Sequence, residues 1–152
     1  MITVRKAKPG DENVIVDFQV KMAKETEQVD LNRDTVIKGV NAVFNGPGKG
    51  IYFVAESENK KIASLMITFE WSDWHNGNVY WIQSVYVLPE FRKKGVFRKM
   101  YMHLKNLVQQ DNNLQGLRLY VDSANTDAQK VYETLGMDGE HYRLFEWMKK
   151  KI

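Results

Sequence analysis

Strand-patterned and helix-patterned segments follow one another along this chain with only short polar breaks, which predicts an α/β domain of the α+β kind, a mixed sheet covered by helices. Two observations carry that expectation. Two strand-like runs sit side by side with a polar turn between them, which a strict βαβ repeat would not contain. Further on, a long aromatic and β-branched run is stopped by a proline and followed by a basic turn, a glycine and a helical stripe. The expected order is β-α-α-β-β-β-α-β-α-β, in one domain spanning residues 1–152.

Each element has its own justification. Ile2-Thr3-Val4-Arg5 alternates as a strand does, and Pro9-Gly10 breaks it. Asp11 then stands where it can cap a helix whose apolar positions Val14, Phe18 and Met22 recur at intervals of four. A second helical stretch runs from Asp34 to Phe44 and ends at Asn45-Gly46-Pro47-Gly48. Ile51 to Glu56 and Ile62 to Phe69 read as the strands of a hairpin turned by Ser57 to Lys61. A loop with Trp71, Asp73, Trp74, His75 and Asn76-Gly77 leads to Val79 to Leu88, a central strand stopped by Pro89. Phe97, Met100, Tyr101, Leu104, Leu107 and Val108 form the stripe of a helix that faces a sheet, ended by Asn112-Asn113. Leu117 to Val121 is expected as a strand. Ala128, Val131, Tyr132 and Leu135 make a second stripe closed by Gly136 at C′, and His141 to Met148 supplies a last strand.

A chain of 152 residues, 43% hydrophobic and 27% charged, buries roughly two-thirds of its unfolded surface and needs no disulfide or metal staple. The lack of cysteine excludes disulfides, thiolate nucleophiles, thiolate zinc sites and iron–sulfur clusters. His75, His103 and His141 form no His-x-x-x-His pair, so no catalytic metal is expected. The chain opens without an apolar leader, and its longest mostly apolar stretch, Ile62 to Phe69, is less than half a membrane span. A cytoplasmic protein with no membrane partner is expected. Lys and Arg number 22 against 19 Asp and Glu, a net charge of +3. That modest balance, with no RNA-binding aromatic motif, disfavours a nucleic-acid partner.

The charge is concentrated in Arg92-Lys93-Lys94-Gly95-Val96-Phe97-Arg98-Lys99, between a strand and a helix. The first amides of a helix lack intrahelical acceptors, and the helix dipole adds about half a positive charge there, so such a turn suits phosphate. Cations before the helix start repel one another and the dipole, a conflict that an anionic ligand removes. The plainer reading is a solvated basic turn. Neither Gly-x4-Gly-Lys-Ser/Thr nor Gly-x-Gly-x-x-Gly is present, which disfavours a nucleoside triphosphate or a dinucleotide.

The run Val85-Tyr86-Val87-Leu88-Pro89-Glu90-Phe91-Arg92-Lys93-Lys94-Gly95-Val96-Phe97 resembles the acetyl-CoA-binding motif of the GNAT family of N-acetyltransferases, a strand followed by Arg/Gln-x-x-Gly-x-Gly/Ala. Downstream, Asn125-Thr126-Asp127-Ala128-Gln129-Lys130-Val131-Tyr132-Glu133-Thr134-Leu135-Gly136-Met137 resembles that family's Asn-x-x-Ala-x-x-x-Tyr-Glu-x-x-Gly-Phe segment. The two motifs in register are far more specific than either alone, and the match covers Trp81 to Met137. The resemblance implies a GNAT-like fold with splayed central strands, pantetheine entering between the strand that ends at Val87 and the one that ends at Val121. It implies acetyl-CoA contacts at Val85, Tyr86 and Val87, at Arg92, at the amides of Lys93, Lys94, Gly95, Val96, Phe97 and Arg98, and at Asn125, Ala128 and Tyr132. Phe97 departs from the family's Gly or Ala, so its ring must turn from the ligand. A homodimer is also implied.

The implied reaction is acetyl transfer to a primary amine, a small cationic molecule. Such an amine has a pKa of about 10.4 and attacks the thioester only when neutral. The tetrahedral oxyanion that forms is best met by a fixed backbone amide, here that of Val87. Tyr132 matches the family tyrosine that donates to the departing sulfur, although its spacing alone fits a core residue. The general base stays open. Gln83 stands where polyamine-type relatives carry an acid and cannot ionise, so it would orient a water or the amine. Glu25, Glu27, Glu70 and Asp73 are alternatives, as is a water held by Gln83 and Ser84. Glu25 and Glu27 with Trp71, Trp74 and Gln83 are the expected acceptor contacts, by charge pairing and cation–π attraction. Two other readings are a basic nucleic-acid-binding module and a CoA-binding protein of this fold without transferase activity.

Overall fold

The computed structural model describes residues 1–152, and its internal contacts divide them into Met1–Arg118 and Leu119–Ile152. In the first unit the strands are β1 (Ile2–Lys6), β2 (Ile51–Ser57), β3 (Lys60–Ser72), β4 (Gly77–Val87) and β5 (Leu114–Arg118). The helices are α1 (Glu12–Glu27), α2 (Arg33–Asn45) and α3 (Val96–Gln110). The five strands lie in the order β1-β2-β3-β4-β5, antiparallel up to β4 and parallel between β4 and β5. That is the mixed sheet expected from the sequence.

The hairpin expected at Ser57 to Lys61 forms around Glu58 and Asn59, both left-handed (φ 51° and 65°), the geometry of a two-residue turn whose twist matches the strands. Ile15 and Val16 of α1 and Val40 of α2 close on Tyr52 and Val54 of β2, with Val14, Val36, Val43 and Phe44 around them. Met100, Tyr101 and Leu104 of the expected stripe are buried on α3, joined by Val96, while Phe97, Leu107 and Val108 are half-buried. His103, on the same helix, meets Phe53 edge-on at 5.7 Å. No helix is long and apolar enough to cross a membrane.

Asp11 occupies the cap position of α1, but its side chain makes no capping bond. It is 1% exposed and accepts instead from Arg5 Nη1 at 2.8 Å, Arg5 Nη2 at 3.2 Å and the Lys8 amide at 2.9 Å. A charge that deep is held only where cations and amides meet it. Burial pushes its carboxyl up, but Arg5, the Lys8 amide and Lys61 outweigh that and leave it below the ordinary range.

Two strand expectations need correction. Leu117 to Val121 is displaced, since the ladder runs over Leu114–Arg118 and leaves 119–121 outside it. β-prone residues become a strand only where a neighbour accepts their hydrogen bonds. His141 to Met148 forms no strand either; it takes part in no ladder and its residues are exposed. In the second unit α4 (Thr126–Thr134) ends as expected, with Gly136 left-handed at C′ (φ 89°). Its amide donates to the Glu133 carbonyl at 3.0 Å and that of Met137 to the Tyr132 carbonyl at 3.1 Å, a complete Schellman closure.

Candidate active site

The site is built on the end of β4. The parallel ladder between β4 and β5 stops at Trp81 opposite Arg118, whereas β4 continues to Val87. From Ile82 to Val87 the strand therefore has β3 on one side and no strand on the other. Val87 faces Ala63, and the Leu88 amide donates to the Ile62 carbonyl at 2.9 Å. That bond identifies Val87 and Ala63 as a non-hydrogen-bonded pair, so the amide and carbonyl of Val87 point away from β3 to the open edge. Just before it the ladder slips: Tyr86 faces Ser64 and Gln83 faces Met66, which puts Ser84 and Val85 opposite the single residue Leu65. Ser84 takes a left-handed conformation (φ 55°) in this bulge, which bends the strand where β5 leaves it.

Beyond β4 a turn of 3-10 helix (Pro89–Phe91) is closed by the Phe91 amide on the Leu88 carbonyl at 2.9 Å and the Arg92 amide on the Pro89 carbonyl at 3.2 Å. Arg92 is extended, Lys93 is left-handed (φ 61°), and Gly95 (φ 77°) caps α3. The Lys99 amide is the first to return to the cap, reaching the Gly95 carbonyl at 3.1 Å. The amides of Lys93, Lys94, Gly95, Val96 and Arg98 donate to no acceptor, the arrangement that cradles phosphate oxygens. A methyl group placed on Gly95 would meet nothing within 4 Å. Lys93, Lys94, Arg98 and Lys99 pair with no carboxylate. Phe97, the departure from the expected pattern, lies along its own helix, its ring 6.4 Å from that of Tyr101.

Arg92 and Glu25 were expected on cofactor and acceptor, and the structure brings their side chains to each other. Arg92 Nη2 donates to Glu25 Oε2 at 2.7 Å and Arg92 Nε to the Val87 carbonyl at 2.8 Å. The guanidinium lies 5.4 Å from the centre of the Tyr86 ring, whose hydroxyl donates to Glu25 Oε1 at 2.9 Å. Arg92 holds the Glu25 carboxyl below its ordinary range, against a partial burial and with help from Tyr86. Burial, then Glu25, pushes the Tyr86 phenol up. Glu27 is exposed at the end of α1.

The remaining expected contacts fall elsewhere. Gln83 is half-buried and its Oε1 accepts weakly from Thr68 Oγ1 at 3.4 Å. Trp71 pairs with Asn78 and Trp74 lies in the β3–β4 turn, 61% and 93% exposed. That turn is at the opposite end of β4 from Val87, roughly 33 Å along an eleven-residue strand, so the structure does not bring the tryptophans together with Glu25. Glu70 is paired with Arg118. In the second unit, Asn125 Oδ1 accepts from the Ala128 amide at 3.1 Å and caps α4. Tyr132 is half-buried on α4, and burial raises its phenol above the ordinary value, so it keeps its proton. No three His, Asp or Glu side chains converge as metal ligands would.

Sequence reasoning missed the bulge at Ser84 and the Arg92–Glu25–Tyr86 cluster. Serine has no special freedom at positive φ, so nothing local marks it. The cluster joins residues more than sixty positions apart, and only Glu25's place in the last turn of a helix hinted at a partner.

The family model described as "Acetyltransferase (GNAT) family" matches residues 18–137. A "possible acetyltransferase" from Clostridium difficile 630 is 41% identical, with 99% of each chain covered and a TM-score of 0.90. A "predicted acetyltransferase with acetyl-CoA" from Clostridium acetobutylicum is 21% identical over 96% of each chain, with a TM-score of 0.73. Glucosamine-6-phosphate N-acetyltransferase from Arabidopsis thaliana is 16% identical over 98% of this chain and 99% of its own, with a TM-score of 0.74. These last two share the fold. No curated protein matches this chain in sequence.

Proposed function

From the premise that this chain belongs to the acetyltransferase (GNAT) family, we propose that it transfers the acetyl group of acetyl-CoA to the primary amine of a small cationic molecule. The observation that carries this reading is the open edge of β4, with the Val87 amide turned outward, leading straight into a turn of unpaired amides at the start of α3. An extended pantetheine arm pairs with such an edge as another strand would, along Val85 and Val87, and its diphosphate takes the amides from Lys93 to Arg98. Acetyl-CoA in the Clostridium acetobutylicum relative supports the choice of cofactor.

In this reading the amine attacks the thioester carbonyl directly. The Val87 amide donates to the oxyanion, in a position that no internal acceptor competes for. Tyr132, through its motif match and its retained proton, gives that proton to the departing thiolate. Gln83 orients the amine or a water; it carries no charge and is no base. Glu27 makes no ion pair and is free to meet a cationic amine, whereas Glu25 is already bonded twice. The reading extends to a cytoplasmic location and, from the family resemblance, to a homodimer.

The test is a melting curve with acetyl-CoA and a panel of primary amines scored by release of the CoA thiol. At about a hundredfold excess over Kd, acetyl-CoA stabilises by about 2.7 kcal/mol and raises Tm by roughly 5 to 10 °C. Thiol release with one amine class and not with water completes the case. A flat melting temperature refutes it, and cofactor binding with no release from any amine leaves a CoA-binding protein without the transferase step.

A further inference from the structure

We infer that Glu25 is a positioning residue for the cofactor, holding the Arg92 guanidinium across the Val87 carbonyl so that the β4 edge and the amide-lined turn are set before the ligand arrives. This rests on the proposed function, in which that edge and turn take acetyl-CoA.

The geometry joins the parts that must be in register. Each oxygen of Glu25 has its own donor, Tyr86 from the end of β4 at 2.9 Å and Arg92 from the start of the turn at 2.7 Å. The carboxylate on α1 thus ties the strand to the turn that follows it. That turn contains a left-handed lysine at 93, a conformation that persists only where surrounding contacts determine it. A mobile turn would have to be ordered by the ligand, at the expense of affinity.

Arg92 also decides what the edge offers. Its Nε covers the outward carbonyl of Val87 at 2.8 Å, while the outward amide of the same residue stays open. The edge therefore presents a donor and hides the matching acceptor. A thioester or amide carbonyl oxygen is welcome there. Without Glu25 the guanidinium has only the Tyr86 face and one carbonyl to hold it, and the long side chain regains its freedom.

The experiment compares wild type with Glu25→Gln, Arg92→Gln and the double variant, by calorimetric titration with acetyl-CoA and by steady-state kinetics. Asp17→Asn, on α1 like Glu25, breaks an exposed pair with Arg33 of α2 and serves as control. Glu25→Gln should raise both Kd and KM for acetyl-CoA about fivefold, the effect of losing an exposed to half-buried ion pair. Its kcat and its KM for the amine should stay at the wild-type values. Arg92→Gln should do the same and the double variant no more, because the two act as one unit. Asp17→Asn should bind as wild type does. Wild-type binding by a folded Glu25→Gln variant, a rise in the amine KM instead, or independent losses that multiply would each overturn the inference alone. If wild type itself fails to bind acetyl-CoA, the proposed function falls and this falls with it.

Discussion

Asp11 takes the cap position that the sequence predicts without making the capping bond. Its place before an apolar helical stripe suggested a cap, yet the side chain sits under β1 and β3, bound to Arg5 and Lys61. Nothing in the neighbouring sequence distinguishes the two uses, because the partners come from other strands. The consequence for stability has a definite sign. The folded-state pKa of Asp11 lies below its unfolded value of about 3.9, so its contribution is whole above that pH and is lost as pH falls through the folded value. Asp11→Asn should cost about 3 kcal/mol at pH 7, since it leaves Arg5 short of its buried partner. The gap from wild type should begin to narrow below about pH 4, which urea melts at pH 7 and pH 3 would show. A gap unchanged at pH 3 would mean that packing, not charge, is lost.

At the scale of elements, helices were more legible than strands. The stripes of α3 and α4 and the closing Gly136 lie in consecutive residues, and a helix makes its hydrogen bonds within itself. A strand depends on a neighbour that its own sequence does not name. Leu119-Tyr120-Val121 and His141 to Met148 have strand-like composition without a ladder, whereas Leu114-Gln115-Gly116, with a glycine inside it, has one. The turn before α3 was legible because glycine, cations and helix stripe fall in one run, but the use of Arg92 was not. Gly95 offers the element-scale test. Its φ of 77° costs an L residue roughly 1 kcal/mol, and a Cβ there, which meets nothing within 4 Å of the free chain, would stand beside the proposed diphosphate. Gly95→Ala should melt slightly lower without ligand and bind acetyl-CoA at least about tenfold more weakly, a further 1.4 kcal/mol. Equal affinity would remove the diphosphate from this turn.

For the molecule as a whole, the feature that matters is a sheet whose fourth strand is hydrogen-bonded on both flanks near its start and on one flank near its end. Charge totals and composition could not have revealed this, and the ranges of the sheet's strands show it only once the register is known. It also implies an alternation in time. In heavy water, the Leu88 amide, closed on Ile62, should keep its proton long after that of Val87 has been replaced by deuterium. Saturating acetyl-CoA should then slow Val87 to the pace of its neighbour while leaving Leu88 as it was. Two adjacent protons, one fast and one slow until the cofactor arrives, make the vacant flank of the strand visible as a clock.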